Sequence, residues 1–163
     1  MRTDPAPVLQ GAAVWLQEAD PCRLDYRIVC DPQWHTRSVT VTGFVGAHDV
    51  DIEIASGPEG WTLDGRPCPQ VAGAVDIDLN FSPSTNLLPI RRLDLAIGEE
   101  RGVRAAWLRF PGFALEPLEQ TYRRLDRHTY RYSSADGAFV RDLPVDARGF
   151  VLAYPDFWRA EPG

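Results

Sequence analysis

Asp76 and Asp78, two residues apart, precede Asn86 and the adjacent Arg91 and Arg92, so that carboxylates, an amide and guanidinium groups fall within one short stretch. A carboxylate pair of this kind can accept hydrogen bonds from ligand hydroxyls, hold a divalent ion or act as paired acids. A guanidinium can grip a phosphate or a sugar diol with two parallel bonds. Asp76-x-Asp78-x-Asn80 opens like a calcium loop, but Phe81 stands where the loop needs glycine and Leu87 where it needs glutamate, which argues against metal. On a strand, residues i and i+2 share a face about 6.5–7 Å apart, a spacing still compatible with glycoside chemistry by two acids. The simpler expectation is two carboxylates on the wet face of a strand, paired with Arg91 or Arg92 or bound to ligand hydroxyls. Extended backbone would send Arg91 and Arg92 to opposite faces, one toward a ligand surface and the other into a structural ion pair. Asn86 most simply closes a turn through its own backbone; the alternative is a sugar contact. Arg37, Arg123 and Arg124 are secondary candidates for gripping an anion or diol.

The elements that must position these groups are strands. Asp49, Asp51 and Glu53 alternate with Val50, Ile52 and Ile54; Asp76 and Asp78 alternate with Val75, Ile77 and Leu79; Arg92 and Asp94 alternate with Leu93, Leu95 and Ile97. Each pattern predicts a half-buried antiparallel strand. Turn signals recur at short intervals, and Asp64-Gly65 and Asp136-Gly137 are the best hairpin tips. The reading places strands near 12–18, 23–30, 34–46, 49–55, 60–63, 74–80, 89–97, 102–109, 114–124, 128–133, 138–142 and 149–154. Helix is scarce, with one turn expected to start near Ser82 or Ser84, whose side chains can cap freed amides. The expectation is a single domain over residues 1–163, its core about 12–158 and its ends, Met1 to Pro7 and Glu161 to Gly163, frayed.

Composition narrows the function classes. The chain has 163 residues, a net charge of −6 and a pI near 5.0, which disfavours nucleic-acid binding and attachment to anionic lipid surfaces. All 17 basic residues are arginine, so lysine Schiff-base and general-base chemistry is excluded. Cys22, Cys30 and Cys68 suit free thiols, with neither a disulfide framework nor a zinc motif. No apolar run approaches the roughly 18–20 residues of a spanning helix, and the first dozen residues lack a signal-peptide pattern. A cytoplasmic location is the expectation. His35, His48 and His128 are widely spaced and fit no catalytic motif. Five tryptophans, with Tyr122, Tyr130, Tyr132 and Tyr154, form a large aromatic set. Most suit core packing, and a minority suit the apolar wall of a ligand cleft or stacking on sugar faces.

Asp76-Ile-Asp78 followed by Ser82-Pro-Ser-Thr-Asn-Leu-Leu-Pro-Ile-Arg-Arg-Leu93 resembles the signature of the bacterial family named putative glycolipid-binding protein. Trp34-His-Thr-Arg37, Gly60-Trp-Thr-Leu-Asp-Gly65, Ala105-Ala-Trp-Leu-Arg-Phe-Pro111, Gln120-Thr-Tyr-Arg-Arg-Leu125, Tyr130-Arg-Tyr132, Val145-Asp146 and Leu152-Ala-Tyr-Pro155 agree in order. The likeness spans about residues 13–158. It implies a mostly antiparallel β-fold, curved as a half-open barrel or roll, similar in shape to bacterial carriers of lipoproteins and lipids. It also implies an amphiphilic ligand such as a glycolipid.

Together these readings predict non-catalytic binding of an amphiphile in an apolar cleft of a curved sheet, without cofactor or metal. The head group is expected at Asp76, Asp78, Asn86, Arg91, Arg92, Arg37 and Tyr122. The alternative is a hydrolase or transferase acting on a glycosylated or lipid-like metabolite through Asp76 and Asp78. A protein-interaction module using the sheet surface is a third class.

Overall fold

The structure, a computed structural model, describes residues 6–161. The frayed ends expected from the sequence lie largely in residues 1–5 and 162–163, outside the described residues. The chain divides into two compact units, Met1–Ala72 and Gly73–Gly163.

Alternation of apolar and polar residues builds the first unit. Strands β1 (Val8–Gln17), β2 (Asp20–Cys30), β3 (Thr36–Val45), β4 (His48–Gly57), β5 (Gly60–Leu63) and β6 (Arg66–Pro67) pair in chain order as an antiparallel meander. Leu24, Ile28, Val39, Val41, Ile52 and Ile54 are buried on one face, while Asp49, Asp51 and Glu53 of β4 stand exposed on the other. Asp64-Gly65 turns β5 into β6 with both residues at positive φ, 48° and 75°, as the hairpin reading requires. Cys22, Cys30 and Cys68 are buried free thiols.

The second unit mixes strand with a short helix. β7 (Asp76–Leu79) leads through a 3-10 turn (Pro83–Asn86) into α1 (Leu87–Leu93). β8 (Glu100–Arg109), β9 (Ala114–Arg124), β10 (Thr129–Ser134) and β11 (Phe139–Pro144) follow, and β12 (Ala153–Tyr154) and β13 (Trp158–Arg159) form a small hairpin. The five-stranded sheet has the order β11-β10-β9-β8-β7, antiparallel except for the parallel pair β7/β8. Neither this sheet nor the first closes on itself. The fold is thus mainly β and mostly antiparallel, as expected from the periodicity.

Two local expectations are corrected. Residues 89–97 do not form a strand. Ser82 Oγ accepts the Ser84 amide and starts the 3-10 turn, Pro89 sits in the first turn of α1 where its missing N–H costs nothing, and Asp94 closes the helix at φ 42°. Leu87, Leu88 and Ile90 are buried, a helical set that directly precedes the period-two pattern of Arg92 to Ile97. β7, read as antiparallel with a wet face, is parallel to β8 and buried on both faces: Asp76, Ile77 and Leu79 are each 1% exposed. A parallel pair needs a crossover connection, and the 3-10 turn with α1 supplies it.

Gly43 in β3 has φ 143°, and a Cβ there would lie 2.0 Å from the Arg23 carbonyl oxygen of β2. At Gly11 a Cβ would meet the Tyr26 hydroxyl, the far end of a side chain rather than backbone, at 2.6 Å. Gly43→Ala is therefore expected to cost more than about 2 kcal/mol in urea unfolding, and Gly11→Ala clearly less. Equal midpoints for the two variants would contradict the assignment of strain at Gly43.

Candidate functional site

The register of the second sheet sets which side chains meet. Pairings Asp76↔Ala105, Asp78↔Trp107, Val103↔Gln120, Tyr132↔Tyr122 and Tyr132↔Arg141 place these residues on one face. Ile90 and Leu95, from α1 and the chain beyond it, pack with Val103, Tyr122, Tyr130 and Tyr132 on that face. A belt of polar groups runs through this otherwise apolar layer.

The belt begins with an ion pair. Arg92 donates from Nε to Asp76 Oδ1 at 3.2 Å and from Nη2 to Oδ2 at 2.5 Å, so both oxygens of a carboxylate that is 1% exposed face one guanidinium. The expected pairing of Asp76 with one of the two arginines is thus present. Because the segment is helical, Arg91 and Arg92 lie about 100° apart around the axis rather than on opposite faces of a strand. Arg92 turns to β7, and Arg91 is exposed on a groove formed with the loops after β9 and β11.

Asn86 does not act through its own backbone, as the turn reading expected. Its buried amide donates from Nδ2 to the Tyr122 hydroxyl at 2.8 Å, joining the start of α1 to β9. Tyr122 is itself 1% exposed. These two residues therefore brace the layer from within.

Asp78 differs from Asp76. It is half-buried and accepts from Gln120 Nε2 at 2.6 Å. Burial, opposed by the Gln120 hydrogen bond and aided by the charge of Asp76, raises its carboxyl to about 6. Burial first, and the Asp78 carboxylate further, push the Tyr122, Tyr132 and Tyr154 phenols above their ordinary value. Tyr132 packs edge-on against Tyr122, Phe139 and Tyr154, with ring centroids 5.3, 6.0 and 6.3 Å apart, and Phe139 and Tyr154 lead on to Phe157 at 6.0 and 5.8 Å. Arg141 lies over Phe139 at 4.5 Å, and its Nε is buried without an acceptor among the described residues.

Arg37 belongs to β3 of the first unit, where its Nη2 donates at 2.6 Å to Asp31, a carboxylate that also accepts the His35 amide and ring. Gln120 and Arg141 were not singled out as ligand candidates from the sequence. The pattern Gln120-x-Tyr122 marks a polar residue on a buried strand face, but only the pairing across β7 to β11 brings it to Asp78. No cluster of three or more metal-ligating side chains occurs among the described residues, and no helix among them is long and apolar enough to cross a membrane.

Two variants test this geometry. Removing one partner from a buried ion pair leaves an unpaired charge, so Arg92→Met is expected to cost about 3–5 kcal/mol, measured by urea unfolding, and Asp76→Leu with Arg92→Met should recover much of it. At Asp78 the folded state holds its proton more tightly than the unfolded chain, whose carboxyl titrates near 3.8. Its contribution to stability is complete below that value and is lost as pH rises through about 6. Asp78→Asn should therefore stabilise the protein at pH ~7 by up to about 3 kcal/mol and flatten the stability profile between pH ~4 and ~6.5. A wild-type profile that climbs through this window, unchanged by the substitution, would contradict the raised value.

The comparisons agree with this architecture. A crystal structure of a DUF1089 family protein from Pseudomonas aeruginosa is similar to the chain at TM-score 0.81 and 29% identity, covering 99% of this chain and 96% of that one. No curated protein matches the chain. The family model described as "Putative glycolipid-binding" matches residues 2–160, nearly the whole length, and the chain belongs to that family.

Proposed function

We propose that the protein binds an amphiphilic ligand non-covalently, holding a hydroxylated head group at Asp78 and Gln120 and laying apolar surface along Phe139, Tyr154 and Phe157. The observation that carries this reading is the half-buried Asp78 carboxyl. Gln120 is its one side-chain donor among the described residues, so acceptor positions remain for ligand hydroxyls. The buried Nε of Arg141 offers a donor on the same face. Ligand sites that combine aromatic walls with a few convergent polar groups follow this pattern. Phe157, 68% exposed at the end of the aromatic series, supplies apolar surface for hydrocarbon, worth about 0.8 kcal/mol for each methylene buried. The family's description, with its glycolipid, points the same way.

The sequence-derived head-group set is thereby narrowed. Asp76, Asn86, Arg92 and Tyr122 serve by fixing the layer beneath the ligand, since their polar atoms face one another. Catalysis by paired acids would require Asp76 to leave Arg92 and the solvent-excluded position it holds, whereas binding needs no such rearrangement.

Native mass spectrometry of protein isolated from its own cells, followed by lipid extraction, tests the proposal. The expected result is a co-purifying amphiphile that is lost in Asp78→Ala and reduced in Phe157→Ser, with the far-ultraviolet circular dichroism of both variants unchanged. Retention of the same amphiphile at the same occupancy in Asp78→Ala would remove the head-group assignment. Wild-type protein that carries none, and takes up none from glycolipid micelles, would remove the function.

A further inference from the structure

The groove on the far side of α1 reverses the charge of the chain. Its volume is about 330 Å³, and its walls carry Arg91, Arg124, Arg127 and Arg148 against Asp94 and Asp146, an excess of two positive charges in a protein whose net charge is −6. We infer that this groove is a binding site for a tetrahedral oxyanion, a phosphoryl group in particular, lined by neither Asp78 nor Gln120.

Arg124, Arg127 and Arg148 are held there with little neutralising charge. Arg124 gives its guanidinium to neutral backbone carbonyls, donating to Leu95 O at 2.8 Å, Asp126 O at 3.3 Å and Arg127 O at 3.4 Å, while its charge lies 5.7 Å from the Tyr130 ring centre. Arg127 makes no ion pair among the described residues. Arg148 reaches Asp146 only at 3.3 Å, with its side chain 80% exposed. Asp146 keeps its charge while its Oδ1 shapes the loop, accepting the Arg148 amide at 2.8 Å and the Phe150 amide at 2.9 Å, and the excess of two positive charges already counts it.

The walls are also built rather than incidental. Gly149 approaches α1 so closely that a Cβ would lie 3.1 Å from Ile90 and Leu87 side-chain carbons, and the Val145 amide donates to His128 O at 2.8 Å. Buried Ile90, Tyr130 and Val145 form the floor. A low-dielectric floor beneath a ring of cations focuses the field into the groove, and guanidinium geometry matches phosphoryl oxygens in pairs. The anion arrives either on a free phosphorylated compound or on a lipid head group. The same groove chemistry serves both.

The full-length protein is titrated with inorganic phosphate at low ionic strength, followed by calorimetry and by amide chemical shifts. It is then sedimented with phosphatidylcholine vesicles with and without phosphatidylglycerol. The expected result is phosphate binding that Arg127→Gln with Arg148→Gln weakens at least tenfold and that Asp78→Ala leaves unchanged, separating this site from the amphiphile site. Arg66→Gln with Arg159→Gln removes the same formal charge elsewhere and should change affinity less than twofold. Sedimentation with the anionic vesicles alone, competed by phosphate, assigns the site to a lipid head group, and phosphate binding without sedimentation assigns it to a soluble phosphorylated compound. Absence of binding to phosphate and to both vesicle types overturns the inference. An equal loss in the two double variants overturns it too, because net charge rather than the groove would then be the cause.

Discussion

The ion pair between Asp76 and Arg92 is the constraint on which the second unit depends. A carboxylate at 1% exposure on a strand buried on both faces is tolerable only when its charge is met, and Arg92 meets both oxygens from the last turn of α1. That contact pins the helix to β7. Once α1 is pinned, Asn86 at its start reaches Tyr122, Ile90 reaches the aromatic layer, and Arg91, one residue away around the helix, faces the groove. The interaction gives orientation more than net stability, since desolvating two charges consumes most of their attraction.

Two environments for two aspartates follow from this arrangement. Asp76 is committed to a fixed cation, whereas Asp78, two residues along the same face, has an amide for a partner and partial access to water. Their difference in environment separates a structural carboxylate from one able to interact with a ligand. The aromatic series from Tyr122 to Phe157 runs from buried core to exposed surface, which is the gradient an amphiphile needs: polar contacts at depth beside Asp78 and apolar area toward solvent. A raised carboxyl is also a cost to stability at neutral pH, a familiar accompaniment of functional positions.

The first unit shows how far local pattern alone reaches. Alternation in Asp49 to Ile54, together with Asp64-Gly65, predicts strands and a hairpin that the structure contains, because a half-buried antiparallel strand writes its two faces directly into period two. Gly43 was invisible to that reading, since its role arises from the Arg23 carbonyl on the neighbouring strand. The stretch 89–97 departs from its strand pattern for a related reason. A seven-residue helix is too short to display its own period, and Arg92 to Ile97 happens to alternate while the preceding leucines are drawn inward by tertiary packing.

The sequence by itself determined the class of fold, the free thiols, the absence of lysine chemistry and the segment in which carboxylates and arginines congregate, because composition and strand period are local properties. Which residues of that segment face one another was decided by tertiary structure. Parallel pairing of β7 with β8 carried Asp78 beside Gln120, the helical turn sent Arg91 and Arg92 to separate neighbours, and the loops after β9 and β11 brought distant arginines to one groove. Such meetings depend on register and crossover between segments tens of residues apart, and residue spacing along the chain does not encode them.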